Sequence, residues 1–343
     1  MADTTDFIQK VVISTRIRLA RNFAAYPFPK CMDEAQADDI VVLVREGLKD
    51  LDEFTEYDIA KLSLEEAMQL QERYLISPAL MKSKGGAAFV SSDKTVSIMA
   101  NEEDHLRLQY ICKGFELKNA YERISGIDDR LASLYDFAFD DKLGFITACP
   151  SNLGTGMRAS VMMFLPGLAR SGGLKKMLPE IKAAGMTVRG SFGEGTDSEG
   201  YLYQVSNERT LGLSEQDILD ETIKTTMKIF DRELDSRTKM LDEDADDLRD
   251  RCLRSYGILT NCAILSQDEF LTRMTDVRLG ISLGFLEALD WKGFDEFLND
   301  MRPAAFRLSN GLTGKRERYC DTVRAETACN VLPELVRVAK HNK

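Results

Sequence analysis

The sequence predicts an α+β fold in which a region of mixed strands and helices gives way to a helical region. Three observations carry this. Up to about residue 210, short runs rich in β-branched and aromatic residues alternate with helical segments. Near Ser214 the apolar residues change to helical spacing. From Asp247 to the end almost every segment reads as helix.

In chain order, residues 87–90 and 95–100 read as strands around a turn at Ser91-Ser92-Asp93-Lys94. Residues 145–149, 160–165, 186–190 and 201–206 read as strands for the same reason. Residues 174–184 read as a helix stopped by Gly185. Ser214 with Asp217 resembles an N-terminal cap, and Ile218, Leu219, Ile223, Met227, Phe230 and Leu234 follow at helical spacing. The acidic run Asp242-Glu243-Asp244-Ala245-Asp246-Asp247 reads as a solvated helix face or connector rather than a metal site. The boundary between the two regions falls between 215 and 245.

Composition bounds the function. The 343 residues suffice for one large domain or two ordinary ones, and 44% hydrophobic residues supply a sizeable core. No apolar run approaches a membrane span, and Met1-Ala2-Asp3-Thr4-Thr5-Asp6 lacks the basic and apolar parts of a signal peptide. Seven scattered cysteines with no C-x-x-C pair argue for reduced thiols and a cytoplasmic location. A net charge of −11 disfavours nucleic acid as the main ligand and suits a cationic substrate. The only histidines are His105 and His341, so neither a Ser-His-Asp triad nor a His/Cys zinc cluster can be assembled. Acid–base work therefore falls to carboxylates.

Four segments can carry chemistry. Ser14-Thr15-Arg16-Ile17-Arg18 is extended, so Arg16 and Arg18 point to one face as a phosphate clamp; the alternative is a salt-bridged exposed strand. Asn101-Glu102-Glu103-Asp104-His105-Leu106-Arg107 gathers three carboxylates that call for a cation; the alternative is a helix N-terminus capped by Asn101. In Cys149-Pro150-Ser151-Asn152-Leu153-Gly154-Thr155-Gly156-Met157-Arg158-Ala159, loop N–H groups can cradle phosphate and Arg158 can pair with it. The same stretch matches the dinucleotide fingerprint G-x-G-x-x-A, but a β-prone run ended by Pro166 follows where a helix is required. Arg189-Gly190-Ser191-Phe192-Gly193-Glu194-Gly195 suits a loop that closes over substrate; the alternative is an ordinary surface loop. Together these place Arg16, Arg18, Arg107, Arg158 and Arg189 against a triphosphate, and Glu103 and Glu194 against a cation.

In this order the four segments resemble the signatures S-[ST]-R-x-R, N-E-E-D-H-x-R, C-P-[ST]-N-x-G-T-G-x-R-A-S and R-G-x-x-G-E of the phosphagen (guanidino) kinase family. The resemblance covers nearly the whole chain and is greatest to the bacterial branch that phosphorylates arginine in proteins. The first motif begins at Ser14, so the family's N-terminal helical domain is expected to be absent. Met162 stands where metabolite kinases usually have histidine, and Leu253-Arg254-Ser255-Tyr256-Gly257-Ile258-Leu259 with Asp276-Val277-Arg278-Leu279-Gly280 is similar to the helical C-terminal domain of the bacterial branch.

The resemblance implies a catalytic domain over 1–225, with a mostly antiparallel sheet flanked by helices, and a helical domain over 226–343. It implies in-line transfer of the γ-phosphoryl group of ATP to a guanidinium nitrogen. Ser14, Thr15, Arg16, Ile17, Arg18, Tyr74, Arg107, Arg158, Ala159, Ser160, Val161, Met162, Arg189, Gly190, Ser191, Phe192, Gly193 and Glu194 would hold the nucleotide. Glu103 and Glu194 would grip the guanidinium, with Cys149 beside it, and Mg²⁺ would be held through ATP rather than by a protein site. A homodimer, an activator protein and Clp-type protease machinery are the implied partners. Two positions depart from the family. Tyr74 stands where histidine usually meets the base, and Cys320 replaces the first arginine of an R-D-x-x-R-A phosphoarginine-binding motif, of which Asp321 and Arg324 remain. A kinase of free arginine or another small guanidine, and a non-catalytic binder of phosphoarginine or nucleotide, are the alternatives.

Overall fold

The structure, a computed structural model, describes residues 8, 10–51, 53–190, 193–194 and 199–340, with 193, 194 and 199 described by their backbone. In chain order the first elements are β1 (Val12–Arg21), α1 (Glu34–Leu48), β2 (Phe54–Asp58), α2 (Leu64–Glu72), β3 (Ala87–Ser91), β4 (Val96–Ala100), β5 (Leu106–Lys113) and α3 (Leu117–Leu134). There follow β6 (Phe139–Asp140), β7 (Gly144–Phe145), β8 (Met157–Phe164), α4 (Pro166–Arg170), α5 (Gly173–Ala183), β9 (Met186–Gly190), β10 (Gly193–Glu194), β11 (Leu202–Asn207) and α6 (Glu215–Leu259). The last are α7 (Gln267–Leu283), β12 (Leu286–Ala288), α8 (Trp291–Asp300), α9 (Pro303–Ser309), α10 (Glu317–Leu335) and β13 (Val336–Val338).

Nine strands form one sheet in the order β10-β9-β11-β8-β1-β5-β4-β3-β2. The pairings of β1 with β5 and β8, of β4 with β3 and β5, and of β9 with β10 and β11 are antiparallel, as expected. Helix α3 buries Leu117, Ala120, Ile124, Ile127 and Leu131, spaced three and four apart, and packs on β1 and β5. Helix α1 packs on α3 and starts with a reciprocal cap between Asp33 and Gln36. At the β3–β4 end the opposite face is covered by Leu70, Leu75, Ile76 and Leu80, which cluster with Ala88, Val90 and Met99. Further along that same face, β1, β5 and β8 carry arginines.

Local expectations meet the structure unevenly. Residues 87–90, 96–100 and 186–190 are strands, with Thr95 left in the turn, Gly185 ends α5 at φ 73°, and Ser214 and Asp217 cap α6 reciprocally. Residues 145–149 are not a strand beyond Phe145. Ile146 N donates to Ala138 O and Ala148 N to the Asp104 carboxylate, so the backbone donors a ladder would use are bonded elsewhere. The helix start at Asn101 is likewise overturned: Asn101 has φ 61° and its N–H donates to His105 O, closing a tight turn that leads into β5. Strand β8 begins at Met157, earlier than residue 160.

The chain divides into two compact units. The first holds residues up to Phe164, with Lys176–Thr196 and Tyr203–Phe230; the second holds Leu165–Lys175, Asp197–Leu202 and Asp231–Lys343. Helix α6 runs from one unit into the other and is broken at Asp244, where φ is −136°. Its acidic stretch 242–247 is exposed, the solvated face expected. In the second unit the buried Glu233 carboxylate accepts from Gly167 N, Leu168 N and Arg237 Nε, which ties the start of α4 to α6. Phe270, Met274, Val277, Phe294, Phe306 and Leu332 form the core of this unit. Among the described residues no helix is long and apolar enough to cross a membrane.

Candidate active site

Register brings distant arginines together. Arg18 pairs with Arg158 on β8 and Gln109 on β5, Arg16 with Ser160, and Ser14 with Met162, while Arg107 lies opposite Met99 on β4. Paired residues share a face, so Ser14, Arg16, Arg18, Arg107, Arg158, Ser160 and Met162 line one surface. Thr15, Ile17, Ala159 and Val161 alternate to the other surface and are buried in the core. Of the residues expected at the nucleotide, these four have backbone alone to offer it. Arg189 is exposed at the end of β9, paired with Gln204 on β11 and Glu194 on β10. Ser191, Phe192 and the Glu194 side chain lie outside the described residues.

The arginine cluster is electrostatically unfavourable by itself. Burial, and then the charges of Arg16, Arg107 and Arg158, hold the Arg18 guanidinium well below its ordinary value, against a smaller opposing effect of Glu102. Burial, then Arg107 and Arg158, bring Arg16 down to about 10, partly countered by the phenol of Tyr74. Arg16 stays protonated at neutral pH. Among the described residues Arg18 Nε is buried with no hydrogen-bond partner. Arg107 NH1 donates to both oxygens of Glu102 at 2.8 and 2.9 Å, and Ser77 donates to the same carboxylate. Arg158 donates to Ser206 Oγ at 3.0 Å. Each of these two guanidiniums is thus held by a neighbour that sequence reasoning missed. Tyr74 sits at the rim, half-exposed at φ 60°, its carbonyl accepting from Gln109 Nε2 at 2.6 Å.

The turn between β4 and β5 presents the carboxylate. Glu103 is exposed at its tip and makes no ion pair among the described residues, whereas Glu102 is engaged by Arg107. Asp104 and His105 are buried beneath. Asp104 Oδ1 accepts from Asn22 Nδ2 at 2.7 Å and from Ala148 N at 2.6 Å. His105 donates from Nε2 to Pro27 O and accepts Phe23 N at Nδ1, so it is neutral, and burial lowers its pKa. The Asp104–Ala148 bond joins the residue after Glu103 to the residue before Cys149. Cys149 is half-buried, its Sγ 3.1 Å from Ser151 Oγ. Nothing in the spacing of Asn22, Asp104 and Ala148 signals this link.

Four N–H groups of the glycine-rich loop are bonded within the chain, which leaves an anion fewer backbone donors than expected: Asn152 to Cys149 O, Leu153 to Pro150 O, Gly154 to Phe145 O and Thr155 to Thr210 O. The glycines serve close packing instead. A Cβ on Gly154 would lie 2.4 Å from Thr210 O, and one on Gly156 2.6 Å from Ala20 O. Strand β8 follows, so the dinucleotide reading fails, and Arg158 is the loop's contribution to the arginine surface. In the second unit, Arg324 is buried, bonded to Leu265 O and Asp321 Oδ1, with its guanidinium 5.3 Å from the Phe306 ring; Cys320 is buried as well.

An arginine-rich sheet face beside a fixed carboxylate turn defines a phosphoryl-transfer class of site. The sequence profile of the ATP:guanido phosphotransferase C-terminal catalytic domain matches residues 37–236, and the chain belongs to that family. The profile of the protein-arginine kinase McsB C-terminal domain matches residues 245–342. A protein-arginine kinase of Caldanaerobacter subterraneus subsp. tengcongensis is 40% identical over 308 residues, 88% of this chain and 91% of that one. One from Bacillus velezensis is 37% identical over 306 residues, 88% of this chain and 84% of that one. Among solved structures, lombricine kinase superposes with a TM-score of 0.60 at 26% identity over 67% of this chain and 68% of its own. The duplicated taurocyamine kinase from Schistosoma mansoni with bound transition-state-analogue components gives 0.61 at 30% identity over 67% of this chain; the match spans 34% of that longer protein.

Proposed function

We propose that the chain is a protein-arginine kinase, transferring the γ-phosphoryl group of ATP in line to a guanidinium nitrogen of an arginine in a polypeptide. The observation that carries the reading is the crowding of Arg16, Arg18, Arg107 and Arg158 on one sheet face, with a buried Arg18 donor that has no acceptor among the described residues. The equatorial oxygens of a triphosphate supply the missing negative charge. Arg189 joins from the end of β9, and Tyr74 offers a ring at the rim for the base. Mg²⁺ would be held by the phosphates of ATP and would supply charge neutralisation there. Glu103, and Glu194 from β10, align the guanidinium, and one of them accepts its proton as phosphorus is attacked. Cys149 orients the same group. The helical region pairs two copies into a homodimer in the cytoplasm, and an activator protein and Clp-type protease machinery are the partners to test. Cys320, in place of the motif's first arginine, supports a chain without the family's phosphoarginine feedback.

The test is transfer of label from MgATP at pH 8 to an unfolded protein or to free arginine. Acid-labile, alkali-stable label on protein arginines is the expected result. Label on free arginine alone would redirect the substrate, and no transfer to either would overturn the enzyme reading. Glu103→Gln should abolish transfer and leave ATP affinity nearly unchanged; loss of ATP binding would show that Glu103 has another role.

A further inference from the structure

Beside the Cys149 loop lies a shallow groove of about 390 Å³ that the reaction does not use, walled by Phe139, Leu143, Phe145, Leu211 and Leu213. Four of these are unusually open for their size: Phe139 is 57% exposed, Leu143 43%, Leu211 49% and Leu213 41%. Single exposed apolar side chains are ordinary, but a cluster around one depression marks a surface that meets another molecule.

The groove is preformed. Phe139 and Phe145 pair across β6 and β7, their rings 5.2 Å apart. The hairpin is pressed onto the loop so closely that a Cβ on Gly144 would lie 2.5 Å from Gly154 O, and Phe145 N donates to that oxygen. The Arg21 guanidinium, bound by Asp128, lies 3.6 Å from the centroid of the Phe145 ring and holds it. The other wall is fixed through Thr210, whose hydroxyl donates towards Ser151 O at 3.1 Å and Leu153 O at 2.7 Å. Ser151 is the residue whose hydroxyl touches Cys149 Sγ. The groove and the reacting end of the site are therefore two sides of one loop.

We propose that this groove receives an apolar side chain of the polypeptide substrate, a few residues from the arginine being phosphorylated; the inference rests on the protein-arginine kinase reading above. Continuity with Cys149 places it within reach of an extended segment entering the site. A free guanidino metabolite has no side chain to put there, whereas an unfolded polypeptide exposes leucines and phenylalanines near its arginines. Exposed Asp140 and Asp141 on the hairpin, in a chain of net charge −11, suit a cationic segment, although Lys142 also borders the groove. Burying one leucine-sized side chain in such a groove raises kcat/KM by about tenfold.

The experiment compares two arginine peptides that differ only in carrying leucines or serines around the arginine, with wild-type protein and with Leu143→Asp and Leu213→Asp. The expected result is about a tenfold preference of wild type for the leucine peptide, expressed in KM and lost in both variants, with KM for ATP and the melting temperature unchanged. The wild-type preference is read without any variant, so misfolding of a variant leaves the test intact. Equal use of the two peptides by wild type overturns the proposal while leaving the kinase reading standing. No phosphorylation of either peptide, or of unfolded protein, overturns both. If Leu143→Asp instead dissociates an oligomer in sedimentation and keeps the peptide preference, the groove belongs to a second copy and the proposal falls.

Discussion

Replacing Arg16 by methionine should make the nucleotide-free protein more stable and ATP binding weaker. The Arg16 guanidinium is brought from 12.5 down to about 10, with burial as the larger cause and Arg107 and Arg158 following. At about 1.36 kcal/mol per pH unit, that is roughly 3 kcal/mol against the charged form in the folded state. Methionine keeps much of the stem's packing and removes the charge. It also loses the favourable interaction with Tyr74, so the net gain should be about 1–2 kcal/mol. The guanidinium is protonated in folded and unfolded chains alike at every pH below about 10, so the penalty is constant and the gain should not vary between about pH 6 and 9. Loss of a charge-assisted contact to phosphate should meanwhile raise the Kd for ATP about 10- to 100-fold. Urea unfolding with and without nucleotide measures both effects on one preparation. A variant that is less stable without nucleotide by more than about 1 kcal/mol, or that binds ATP as wild type does, would refute the assignment of this face to phosphate.

Two further perturbations address the carboxylate side. Both bonds to Asp104 end on Oδ1, so Asp104→Asn keeps an acceptor there and should cost about 1 kcal/mol, whereas Asp104→Ala leaves Ala148 N without its acceptor and should cost about 3 kcal/mol and lower kcat more than about tenfold at unchanged KM for ATP; urea unfolding and steady-state rates check this, and equal behaviour of the two variants contradicts it. His105 is buried neutral and its pKa is lowered from 6.5, so its contribution to stability is present above pH 6.5 and is lost as pH falls below that value, where the unfolded chain takes up the proton first; the pH dependence of unfolding below 6.5 should flatten in His105→Gln, and an unchanged slope contradicts the neutral assignment.

The parts legible in the sequence were those governed by local period. Residues 87–90 and 96–100 show as strands because both are mostly apolar runs bounded by polar turns, and both are buried along their length. Arg16 and Arg18 show as a pair because a strand alternates. Their meeting with Arg158 depends on register between strands some 140 residues apart in the chain, which no local pattern encodes. Residues 145–149 failed as a strand for a related reason: a side chain from residue 104 takes the backbone donor that a neighbouring strand would have taken. The glycine loop shows how a correct motif can carry the wrong mechanism. Gly154 and Gly156 are required, but by the carbonyls of Thr210 and Ala20 rather than by phosphate.

The division of labour among the acids follows from the same geometry. Three adjacent carboxylates look interchangeable in the chain, yet their surroundings assign each a different task. Glu102, 5% exposed, is turned under the sheet face, where it neutralises Arg107 and keeps one guanidinium of the cluster in place without nucleotide. Asp104 is turned the other way, into the Asn22–Ala148 network, and fixes the turn to the loop of Cys149. Only Glu103 is left in solvent at the tip. A group meant to grip a guanidinium must stay charged and unengaged until substrate arrives, because an existing ion pair would have to be broken first. On the proposed mechanism, pre-engagement of its two neighbours keeps Glu103 available, and the Asp104–Ala148 bond holds the Glu103 turn to the Cys149 loop before substrate arrives.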